Sequence, residues 1–95
     1  MFTIVSRFTV PPDQMADRVE AHRAWERGHL EAGHFVAIGS EIPLQGGIAL
    51  AVGVTRAEIE EWIQGDPYYA QGLVQYEIRE YGIAATGPGI EGLQA

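Results

Sequence analysis

The chain has 95 residues, no cysteine, and a formal net charge of −7 from six Lys and Arg against thirteen Asp and Glu. That length fits one domain with a modest core, which favours association with a second copy. The lack of thiols excludes disulfides, thiolate metal sites and cysteine nucleophiles, and the acidic balance leaves no footprint for nucleic acid or an anionic membrane. Met1-Phe2-Thr3-Ile4-Val5-Ser6-Arg7 lacks the basic-then-apolar pattern of a signal peptide. No run of about 18 apolar residues occurs, so nothing reads as a membrane span. A cytoplasmic protein is expected.

Residues 2–10 are predicted as a strand: Phe2, Ile4, Phe8 and Val10 share one face at period two, with Ser6 among them. Pro11 and Pro12 end it. Asp13 to Ala32 reads as a helix stopped by Gly33. Met15, Val19, His22, Trp25 and His29 recur at spacings of three and four, which makes them the face laid on the sheet. His34 to Gly39 reads as a second strand, with His34 at its exposed start. Ser40 to Gly46 forms a connection containing Pro43, and Gly46-Gly47 closes the turn. Residues 47–54 are predicted as a third strand. Ile48, Leu50, Val52 and Val54 line one of its faces. Gly47, Ala49, Ala51 and Gly53 line the other, which admits a helix, a ligand or a second sheet at close range.

Thr55-Arg56-Ala57-Glu58 has the form of a capping box, so a second helix starts there. Ile59, Trp62 and Ile63 are its apolar stripe and Gly65 ends it. Asp66-Pro67-Tyr68-Tyr69-Ala70-Gln71 reads as one further helical turn with Asp66 as its N-cap. Residues 73–83 are predicted as a fourth strand. Residues 1–84 then form one domain, and 85–95 a loosely ordered tail.

The order strand, helix, strand, strand, helix, strand predicts an α+β fold of the ferredoxin-like βαββαβ type. Right-handed crossovers place both helices on one face of a four-stranded antiparallel sheet. The other face carries apolar residues that need cover, and a second subunit supplies it most simply, so a homodimer is expected.

Several residues in combination carry a family resemblance. His22 stands in the first helix, eleven positions before Gly33, and Gly39 ends the second strand. Gly46-Gly47 precedes Ile48-Ala49-Leu50-Ala51-Val52. Trp62 falls in the second helix, followed by Asp66-Pro67-Tyr68 and Gly72-Leu73. In this ordered set the chain resembles the YciI-like family of dimeric α/β-barrel proteins, whose members are similar in fold to muconolactone isomerase. The resemblance implies a catalytic pair of the helix histidine and the Asp-Pro-Tyr aspartate, here His22 and Asp66. Some relatives are implicated in dehydrochlorination of hydroxylated aromatics. The chain departs from the family at Val19, where an arginine is frequent, and at Ser40, where proline is frequent.

Read from the residues alone, each candidate has a structural and a chemical role. A histidine beside a carboxylate is a general acid or base poised near neutrality, whereas periodicity makes His22 a core histidine. Asp66 is an N-cap, and a second carboxylate oxygen is free to orient an imidazole. Ser40 and Glu41 follow the second strand where a pocket wall is expected. Trp25, Trp62, Tyr68 and Tyr69 are wall or packing residues. His22, Glu26 and His29 form a row, but its spacing is not the His-x-x-x-His of a metal site. No Gly-x-Ser-x-Gly elbow occurs. No metal or cofactor is expected. Two functions lead: an isomerase or lyase acting on a small organic molecule, or a metabolite-binding or accessory module; a cofactor-free oxygenase rests on fold analogy alone.

Overall fold

The structure is a computed structural model and describes residues 1–94. Four strands form one sheet in the order β2-β3-β1-β4: β1 (Phe2–Phe8), β2 (Ala37–Ser40), β3 (Gly46–Ala51) and β4 (Val74–Glu80). Every neighbouring pair is antiparallel. The helices are α1 (Val19–Glu31), α2 (Arg56–Ile63) and the single turn α3 (Pro67–Ala70). This is the ferredoxin-like α+β arrangement that the element order implies. No helix among the described residues is long and apolar enough to cross a membrane.

Alternation along β1 separates the two faces of the sheet. Phe2 and Ile4 are buried, and their partners across the ladder are Ala51 and Ala49 of β3. Phe35 and, from α2, Ile59 and Ile63 complete that core, with Trp25 and Leu30 of α1 packed against it. The small residues of β3 therefore lie under the helices. A second cluster of Met15, Tyr68 and Val74 sits at the other end of the sheet, and Tyr76 packs on both clusters. On the face without helices, Val5 pairs with Ile48, and Leu50 lies between Thr3 and Ala37. Gln75, Glu77 and Arg79 continue that face on β4.

The expected helix over Asp13–Ala32 divides into a 3-10 segment, Pro12–Arg18, and α1. Arg18, at φ −113° and ψ −4°, breaks the winding between them. Met15 of the 3-10 segment joins the second cluster and Val19 at the start of α1 packs against it, while Trp25 and Leu30 further along α1 pack on the first. Strand β2 begins at Ala37 rather than His34, because His34 and Phe35 close the turn after α1. Their amides both donate to the His29 carbonyl, at 2.9 and 3.3 Å, and Gly33 takes the left-handed φ of 77° that this turn requires. His34 is half-buried rather than exposed: its ring stacks on Trp62 with centroids 4.0 Å apart, and its Nδ1 lies 2.8 Å from His29 Nδ1. Burial, and then the charge of His34, lower the pKa of His29.

Strands β3 and β4 are shorter than the predicted 47–54 and 73–83 because their shared neighbour runs out. Phe2 pairs with Ala51 on one side and Glu80 on the other, and only the Met1–Tyr81 exchange lies beyond. Gly46 is the first residue of β3 rather than part of a turn, and a Cβ there would stand 1.9 Å from the Ser6 carbonyl oxygen. The capping box forms: Thr55 Oγ1 accepts from the Glu58 amide at 3.2 Å and Glu58 Oε1 from the Thr55 amide at 2.9 Å. Beyond β4 the next regular element is a 3-10 turn, Glu91–Gln94. The predicted tail runs on to Ala95, which lies outside the described residues.

Ile59 is 0% exposed and seated among the main cluster. Ile59→Ala should lose about 2–5 kcal/mol of stability. Urea unfolding should show a lower midpoint with an unchanged slope.

Candidate functional site

The site is organised by one carboxylate. Gly65 follows α2, and the Asp66 amide donates to the Ile63 carbonyl at 3.0 Å, which turns the Asp66 side chain inward. Asp66 is 0% exposed. Its Oδ1 accepts from the Tyr68 amide at 3.0 Å, the N-cap bond of α3, with Pro67 at the first helical position. The same oxygen lies 2.7 Å from His22 Nδ1, and Oδ2 accepts from the Tyr76 hydroxyl. An ionised carboxylate only accepts, so Nδ1 carries the proton that joins His22 to it.

His22 reaches this point from the middle of α1. Its ring lies flat on Tyr68, with centroids 3.9 Å apart and planes 11° apart. Its other nitrogen, Nε2, is 3.4 Å from Glu26 Oε1, one helical turn along. The imidazole thus lies between two carboxylates of unequal burial: the Asp66 side chain is 0% exposed and that of Glu26 25%. Burial opposes a charge on the ring, but the hydrogen bonds and charges of Asp66 and Glu26 outweigh it and raise His22 from 6.5 to about 9. Burial and the neighbouring Asp66 charge push the Tyr76 hydroxyl far up, so it remains a donor.

A cavity of about 180 Å³ opens between α1 and the sheet, and His22 forms part of its wall. Ile4, Ser6, Gly47, Ala49 and Tyr76 of the sheet line it from one side, and Trp25, Glu26 and Arg23 from α1. Ser40, Leu44 and Tyr68 also line it. Ser6 Oγ accepts from the Gly47 amide at 3.0 Å, which fixes the hydroxyl in the cavity.

The residues proposed from sequence therefore separate. His22 and Asp66 are in contact, and Trp25, Tyr68 and Ser40 all line the cavity. Glu41, Trp62 and Tyr69 do not line it. Trp62 stacks on His34 instead, and its carbonyl accepts from Trp25 Nε1 at 3.1 Å. Sequence reasoning missed Tyr76, Ser6 and Arg23. Tyr76 was detectable only through register, since it sits opposite Ser6 across the β1–β4 ladder. Among the described residues, no three His, Asp or Glu side chains converge to hold a metal ion.

The YCII-related domain model matches residues 1–81. The chain belongs to the YCII-related family. No curated protein matches it. Among solved structures it is similar to 5-chloro-2-hydroxyhydroquinone dehydrochlorinase from Burkholderia phenoliruptrix AC1100, determined in complex with 2,5-dihydroxybenzoquinone. The two share 17% identity with a TM-score of 0.67, over 85% of this chain and 93% of the other. At that identity the likeness establishes a common fold.

The raised pKa of His22 is measurable. A ring that titrates at 6.5 unfolded and about 9 folded stabilises the fold fully below pH 6.5 and loses that contribution as pH rises through 9. NMR titration should place His22 near 9 in the wild type and distinctly lower in Asp66→Asn. Asn is itself a good N-cap, so α3 keeps its first turn. An unchanged His22 titration in Asp66→Asn would show that the carboxylate does not govern the ring.

Proposed function

We propose that this YCII-related protein is a small-molecule isomerase or lyase in which His22 and Asp66 act as an acid/base pair, and that it works as a homodimer. The observation that carries the reading is the asymmetry of the His22 ring. Nδ1 is held at 2.7 Å by a fully buried carboxylate, while Nε2 lies 3.4 Å from Glu26, which lines the cavity with His22. A ring fixed in this way has one orientation, with its Nε2–H outside the Asp66 bond and placed for chemistry. With its pKa near 9 the ring is about 99% protonated at pH 7. His22 therefore works as the acid, releasing a proton from Nε2 to a departing group or to the end of a conjugated system. Asp66 is a positioning residue that stabilises the imidazolium and never meets the substrate.

The cavity suits a single-ring molecule. It is smaller than the roughly 300 Å³ at which drug-sized sites begin. Its wall mixes the apolar Ile4, Ala49 and Trp25 with the hydroxyls of Ser6 and Ser40, which favours a hydroxylated ring. The similar dehydrochlorinase is named for a substrate of that kind. Elimination and double-bond isomerisation both need a placed proton donor and acceptor and transfer no hydride.

A binding or accessory module is the competing reading, and one observation favours it: Asp66 also caps α3 and holds Tyr76, so the pair has structural work. Two probes separate the readings, chloride release from 5-chloro-2-hydroxyhydroquinone and the double-bond shift of a β,γ-unsaturated lactone. Turnover of either by the wild type is expected, with Asp66→Asn slower by about 100-fold or more in kcat at unchanged far-ultraviolet circular dichroism. Turnover of neither probe would remove the enzymatic reading.

The homodimer rests on the sheet face opposite the helices, where Val5, Ile48 and Leu50 leave apolar surface uncovered. Light scattering should give the mass of two chains, and Leu50→Glu should shift it toward one. A monomeric wild type at micromolar concentration would overturn this part.

A further inference from the structure

We infer that Glu26 is the general base of this site, taking a proton from the substrate while His22 supplies one. This assignment rests on the acid role proposed for His22. Glu26 follows His22 by one turn of α1, which brings its carboxylate to 3.4 Å from Nε2. It lines the same cavity, and its side chain is 25% exposed, so it meets both the cavity and the rim.

The remaining polar groups around the cavity are unsuited to accept a proton. Asp66 is sealed, and its oxygens are already committed to His22, Tyr68 and Tyr76. The Tyr76 hydroxyl is a donor to that carboxylate, and burial raises the Tyr68 hydroxyl despite the opposing charge of Arg23. Arg23 does not lose its proton in water. Ser6 and Ser40 have no base beside them to raise their reactivity. Among the described residues that line the cavity, Glu26 is the only carboxylate.

The pair closes a full cycle. In an elimination, Glu26 removes a proton from the substrate, and the electron pair of that bond becomes the new double bond. The leaving group departs with its own electron pair and takes the proton from Nε2. Substrate loses one H and one leaving group, Glu26 is left neutral, and His22 is left neutral. Transfer of the proton from Glu26 to Nε2 across the gap between them restores carboxylate and imidazolium. In an isomerisation the same two groups act at opposite ends of the conjugated system, and the same transfer resets them. Two carboxylates on one imidazole then have distinct work: the buried one fixes the ring and the rim one exchanges protons with the substrate.

The test uses the wild type, Glu26→Gln, Glu26→Asp and Asp66→Asn with the two probes named above. Glu26→Gln should lower kcat by about 100-fold or more with KM little changed, and should abolish the acidic limb of the pH–rate profile. Glu26→Asp should recover part of the rate, since it restores the carboxylate at a shorter reach. Full kcat in Glu26→Gln, with Asp66→Asn impaired, would overturn the assignment of Glu26 and leave the His22–Asp66 pair standing. Absence of turnover in the wild type with both probes would instead overturn the enzymatic reading from which the assignment starts.

Discussion

A carboxylate with no solvent exposure must be fully partnered or it destabilises the fold, and Asp66 is partnered from three directions. His22 comes from α1, the Tyr68 amide from the start of α3, and Tyr76 from β4. These elements lie far apart in sequence and meet at one pair of oxygens. The consequence for α1 is specific. This helix has no fully buried residue, so close packing alone does not hold it against the sheet. The Asp66–His22 bond, the Trp25–Trp62 bond and the stacking of His22 on Tyr68 fix its height and rotation.

A helix held by polar contacts can stand over an open space. The sheet beneath α1 offers Ser6, Gly47 and Ala49, residues too small to fill the gap, while the bulk of Phe2, Ile59 and Ile63 lies in the main cluster and that of Met15 and Val74 in the other. Tyr76 spans the two clusters and turns its hydroxyl to Asp66, so the residue that joins the cores also completes the carboxylate's set of donors. The absence of orphaned buried side-chain polar atoms among the described residues follows from the same economy: each polar side-chain atom sealed from solvent has a partner within the protein.

Much of this was legible in the sequence, and what was not has identifiable causes. The spacing of Met15, Val19, His22, Trp25 and His29 gave the inward face of the helical region, because apolar periodicity is a local property. The caps at Thr55 and Asp66 were likewise readable, each from three or four residues. Element ends were less so. Strands β3 and β4 stop where β1 runs out, a fact about a neighbour rather than about their own residues. The start of β2 was misplaced because His34 and Phe35 look like strand residues but serve a turn anchored on His29. Within the site, the His22 and Asp66 pairing came from family resemblance, since periodicity alone makes His22 a core residue. Tyr76 and Ser6 face each other through strand register, which no local pattern encodes. Glu26 stands at helical spacing from His22, but the row it forms with His29 does not fit a metal site, and nothing in that spacing alone points to proton transfer.

The unequal burial of the two carboxylates decides what the imidazole can do. A charge removed from water keeps its strength, so Asp66 holds Nδ1–H regardless of what enters the cavity. Glu26, partly exposed, is bound more weakly at 3.4 Å and can yield its place at Nε2 to an oxygen of a ligand. Were the burial reversed, the cavity side of the ring would be locked and the sealed side free, and no proton could reach a substrate. The same asymmetry explains why a raised His22 pKa is compatible with chemistry: the buried partner keeps the ring charged, and the exposed partner offers that charge a route out.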